Sequence, residues 1–112
     1  MSLPLSLLVL FIAALLEAGG DAIVRNGLKA PTSFSRAVFF LVGALVLFLY
    51  GYVVNAPPWD FGRLLGVYVV FFFVAAQFIS VFLFHTRLST STLIGGAFIV
   101  VGGLIISLGS LN

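Results

Sequence analysis

Glu17 and Asp21 stand four residues apart inside an otherwise apolar stretch running from about Leu3 to Val24. In a helix that spacing puts both carboxyl groups on one face, one turn apart. If the stretch crosses a membrane, at about 1.5 Å per residue Glu17 lies roughly 21 Å into a span of about 33 Å. An ionised acid near the middle of the bilayer costs on the order of 2.5–3.5 kcal/mol. The neutral acid is therefore the cheaper form until a cation arrives beside it, so protons and cations compete for one group. That competition is the chemistry of exchange. Asp21, about 6 Å away, would repel an ionised Glu17 by roughly 3 kcal/mol at an effective dielectric near 20. The two would titrate as a pair and hold a cation between them. The structural alternatives are a protonated Glu17 hydrogen-bonded in a helix interface, and an Asp21–Arg25 ion pair reaching to water.

The composition says why such a stretch must lie in lipid. Of 112 residues, 62% are hydrophobic and only 7% charged, where a soluble domain carries about 25% charge. The absence of cysteine excludes disulfides, thiolate catalysis and cysteine-ligated metal. A net charge of +2 with no basic patch offers nothing to read a phosphate backbone, so nucleic acid is not an expected partner. His85 is a lone loop residue, and no nucleophile–base pair or ligand cluster stands in the sequence. The expectation is no enzyme, no metal and no cofactor.

Four apolar runs position the acids: about 3–24, 37–54, 64–84 and 92–111. Each is near the roughly 20 residues a helix needs to cross the hydrocarbon. A membrane barrel would need at least eight shorter, alternating segments. The expected fold is therefore an all-α integral membrane protein, one four-helix transmembrane domain over 1–112. Ser33 or Ser35, in the loop before the second run, is its expected cap. Trp59 marks an interfacial turn between the second and third runs. Arg25, Lys29, Arg36 and Arg87 fall in the first and third loops, against Arg63 alone on the other side. That bias puts those loops in the cytoplasm and both termini on the external side.

On the third run Tyr68, Phe72, Ala75, Ala76 and Ile79 share one stripe. An aromatic wall opposite a carboxyl group suits an organic cation, with Tyr68 and Phe72 as pocket residues and Tyr50 of the second run as a further candidate. Around Glu17 the small residues Ala13, Ala14, Ala18, Gly19 and Gly20 allow close approach of another helix. In the fourth run Gly95, Gly102 and Gly109 recur every seven residues, with Gly96 and Gly103 beside them. Together they read as a packing groove for a dimer, with packing within one subunit as the alternative use of the same groove. Four short helices fill their own centre, so two copies would be needed to enclose a substrate, with a Glu17 from each.

These features resemble the small multidrug resistance superfamily, and within it the YnfA-like branch. The residues that carry the resemblance are Leu16-Glu17 with the glycines after it, Gly62-Arg63 followed by Tyr68, Arg87-Leu88, and Gly95-Gly96-Ala97 through Gly102-Gly103-Leu104-Ile105-Ile106. It implies a dimeric transporter of the bacterial inner (plasma) membrane whose membrane glutamate binds protons and a small cationic substrate alternately. Glu17 would hold that role, and Tyr68 falls near the aromatic position of the third helix. Two features depart from the pattern. The third helix has Tyr68 where multidrug members place a tryptophan, and Asp21 is an additional acid. The charge bias also favours a parallel homodimer, or a heterodimer with a related four-span subunit, over an antiparallel homodimer. The sequence thus reads as a proton-coupled exporter of small or aromatic cations. The alternatives are a subunit of a heteromeric lipid-carrier flippase and a non-transporting docking subunit.

Overall fold

The computed structural model describes residues 1–109; the end of the fourth predicted span, 110–111, lies outside them. Four helices account for nearly all of the described chain: α1 (Leu3–Leu28), α2 (Ser33–Val54), α3 (Phe61–Phe82) and α4 (Thr90–Gly109). They are 26, 22, 22 and 20 residues long and apolar enough to cross a membrane. At 1.5 Å per residue they reach about 30–39 Å, the full thickness of the hydrocarbon.

α1 runs a turn further than its apolar stretch suggests, because Arg25 and Asn26 continue the helix into the first loop. Glu17 is therefore less than two residues from the helix midpoint, and Asp21 sits nearly two turns inside its C-terminal end. The cap of α2 is Thr32 and not Ser33 or Ser35. Thr32 is extended, and its Oγ1 accepts a hydrogen bond from the Ser35 backbone N–H at 3.1 Å. Ser33 and Ser35 already lie in the helix, where their own backbone cannot take the flanking conformation a cap requires. Ser89 Oγ likewise accepts from the Thr92 N–H at 3.1 Å at the start of α4.

The helices do not close into a four-sided bundle. α1 packs against both α2 and α3, while α4 packs on α3. The result is a slab measuring 54 × 34 × 19 Å. Its core lies where α1 meets α3, around Leu10, Ala13, Ala14, Leu64, Val67 and Tyr68, all buried. The α1–α2 crossing is closest at Gly43, where an added Cβ would stand 2.6 Å from Val24 Cγ2 and 3.4 Å from the Gly20 carbonyl oxygen. Much of the remaining surface of α2 and α4 is apolar and exposed, including Leu41, Phe48, Phe98 and Ile105. Such faces are stable only against lipid or another apolar chain.

The glycine groove of α4 divides in two. Gly96 and Gly103 are buried against α3: a Cβ at Gly96 would lie 2.5 Å from the Phe73 ring, and one at Gly103 would collide with Val70. These two are spent on packing within the chain. Gly95, Gly102 and Gly109 face open space, with nothing within 4 Å of an added Cβ.

Candidate functional site

Glu17 meets two aromatic side chains from the flanking helices. The Tyr68 hydroxyl, on α3, donates to Glu17 Oε1 at 2.8 Å, with the Ala13 carbonyl oxygen a weaker second acceptor at 3.4 Å. Tyr68 is buried and Glu17 half-buried. Tyr50 comes in from α2, its ring 5.7 Å from that of Tyr68, close enough to interact electrostatically with Glu17. On the other side Phe72 stacks on Tyr68 at 6.2 Å. The local reason is the small-residue face of α1. Ala13, Ala14 and Ala18 are buried and hold no side chain that would keep Tyr68 away from the backbone.

Asp21 opens onto a separate cavity of about 520 Å³ between the C-terminal halves of α1 and α3. That volume is within the range of small-molecule sites, roughly 300–1,000 Å³. Phe72 and Ala76 line its apolar side, Ser80 and Thr86 its α3 end, and Arg25 and Lys29 the end nearest the first loop. Asp21 stands one turn from Glu17 on the same helix. Among the described residues no ion pair joins Asp21 to Arg25. Instead the Arg25 guanidinium carbon is 5.5 Å, and Lys29 Nζ 5.6 Å, from the centre of the Phe84 ring. Phe84 is placed there by the end of α3, where His85 adopts a left-handed conformation (φ 55) and the Thr86 N–H bonds back to the Ser80 carbonyl at 3.0 Å. This bond closes a helix end in the manner usually left to glycine.

The helices therefore bring Glu17, Tyr68, Tyr50 and Phe72 together, and place Asp21 one turn along in the adjoining cavity. The open glycines Gly95, Gly102 and Gly109 are on α4, whose main packing partner is α3. A family model described as "Uncharacterised BCR, YnfA/UPF0060 family" matches residues 4–111. The chain belongs to the YnfA/UPF0060 family. That is the branch its sequence motifs resemble, and the match covers all four helices of this YnfA-family membrane protein. No curated protein and no solved structure matches the chain.

Reading the sequence alone passes over Arg25 and Lys29 as members of the YnfA-family cavity: both serve there as topology charges, and Arg25 also as an ion-pair partner for Asp21. Their positions four and eight residues after Asp21 could have shown it, since i, i+4 and i+8 share a helix face. Phe84 carries no such signal, because it lies beyond the last residue of α3.

Proposed function

We propose that this protein is a proton-coupled exporter of small or aromatic cations in the bacterial inner membrane, working as a dimer with Glu17 as the coupling acid. The observation that carries this reading is Glu17 itself: a carboxyl group at the midpoint of a membrane helix, met by a tyrosine hydroxyl and flanked by aromatic rings. One Glu17 oxygen takes the Tyr68 hydrogen bond, which holds the side chain in place. The carboxyl group is also the one that takes a proton or a cation, and the ring faces of Tyr50, Tyr68 and Phe72 suit the organic part of that cation. Binding a cation expels the proton, and binding a proton releases the cation, which couples the two fluxes. Asp21 gives the departing cation or proton a second station on the side of the first and third loops.

A slab 19 Å across cannot surround Glu17 by itself, which supports a second subunit over the site. The open face of Gly95, Gly102 and Gly109 is where another helix can come closest. The same face is what a docking subunit would use. The two readings part in a flux assay. An exporter in proteoliposomes accumulates guanidinium or a quaternary ammonium ion against its gradient when the proton gradient is opposed, and a docking subunit does not.

Tyr68→Phe should lower cation affinity by about tenfold without loss of folded protein, since a hydrogen bond to a charged group is worth about 1.5–3 kcal/mol and water can replace part of it. Titration of the purified variant with a quaternary ammonium ion checks this. Reporters fused to either terminus should read out on the external side, as four basic residues against one require. A cytoplasmic signal from either terminus would contradict that orientation.

A further inference from the structure

The cavity between α1 and α3 holds charges of both signs in a fixed order. Along α1 the order is Asp21, Arg25 and then Lys29, the last nearest the first loop, and all three line the cavity. Successive groups are about 6 Å apart along α1 at 1.5 Å per residue. The two cations lean over one ring, that of Phe84, at 5.5 and 5.6 Å, although like charges so placed repel each other. Neither has a carboxylate partner among the described residues, and Asp21 is equally without an ion pair. Three charged groups thus face one cavity unpaired, two positive and one negative. A simple cation held by Asp21 would lie beside the bases, and a simple anion held by the bases would lie beside Asp21. A molecule with one charge of each sign satisfies all three.

We propose that this cavity is a second binding site, distinct from cation exchange at Glu17, for an amphoteric ligand. The ligand's cationic end meets Asp21, its anionic end lies between Arg25 and Lys29, and its apolar middle rests on Phe72 and Ala76. Glu17 does not line the cavity; the site shares Asp21 and Phe72 with the exchange path but needs no charge on Glu17. A free zwitterionic solute and a zwitterionic lipid headgroup have this chemistry in common. The cavity size admits either.

The probe is 4-guanidinobenzoate, whose opposite charges sit across one benzene ring. Its methyl ester carries only the cation, and 4-methylbenzoate only the anion. Calorimetric titration of the whole protein in nanodiscs of an uncharged glycolipid should show the zwitterion binding about tenfold more tightly than either control, because each charge-assisted pair adds affinity. Arg25→Gln combined with Lys29→Gln should erase its advantage over the ester. Asp21→Asn should erase its advantage over 4-methylbenzoate. In a Glu17→Gln background, which removes cation binding at the exchange site, the zwitterion should keep its advantage over both controls, so a failure of the exchange reading would not touch this result. If added phosphatidylethanolamine competes with the probe, the ligand is a headgroup; if it does not, the ligand is a free solute. An ester that binds the Glu17→Gln protein as tightly as the zwitterion does overturns the proposal. So does a zwitterion affinity indifferent to the Arg25, Lys29 and Asp21 changes, or no binding of any probe.

Discussion

Replacing Glu17 with Gln should reduce proton-driven cation flux in proteoliposomes to the level of empty vesicles, with the yield of folded protein unchanged. Glutamine has the same shape and its Oε1 can still accept the Tyr68 hydroxyl hydrogen, so the contact seen at 2.8 Å is kept. What is lost is the ability to exist in two charge states. A side chain that is always neutral neither takes up a proton nor offers a charge to a cation, and the exchange has no currency left. The same variant separates the transport reading from the docking one, because a docking face on α4 has no need of a charge on α1. Flux that survives Glu17→Gln would move the coupling group elsewhere, and Asp21 would be the only other membrane acid among the described residues able to take it.

The second large effect is on stability and falls on α4. Gly103→Leu should destabilise the fold by about 1–3 kcal/mol or prevent its accumulation, as overpacking of a close helix contact does. The reason is local: at Gly103 even a Cβ would collide with Val70, and α3 is the main packing partner of α4. Gly102→Leu, one residue away, should change the stability of the single chain by no more than about 0.5 kcal/mol. Its side chain enters open space. If two copies meet along that face, Gly102→Leu should instead lower the fraction of dimer found by cross-linking in membranes. Thermal unfolding and cross-linking of the two variants side by side give opposite patterns. Equal damage to unfolding temperature from both would mean that the glycines are not divided between inner and outer faces.

The four helices were legible because each is a long run with almost no charge, and lipid leaves such a run no alternative to helix. The ends were less so. Thr32 rather than Ser33 or Ser35 caps α2, since three neighbouring hydroxyl residues carry the same local signal and only the backbone path selects one. Glu17 announced itself as an acid where charge is expensive, and the stripe of α3 pointed Tyr68 and Phe72 in its direction. Periodicity could not tell which member of the stripe would touch the acid, because that depends on the relative height of α1 and α3. The division of the α4 glycines was illegible for a similar reason. Two adjacent heptad rows are equivalent in sequence, and only the position of α3 decides that Gly96 and Gly103 turn inward. Arg25 and Lys29 became site residues through Phe84, which a loop conformation and not a repeat brings beneath them.

The most direct test of the central claim, that protons and cations compete for Glu17, is proton release from purified protein on cation binding. The protein is held in detergent at very weak buffering with a pH-sensitive dye, and guanidinium, a quaternary ammonium ion or an aromatic cation is added. The wild type should release protons in step with cation binding, with apparent cation affinity falling as the starting pH is lowered. Glu17→Gln should release none. Cation binding that is saturable, indifferent to pH and accompanied by no proton release would contradict the account.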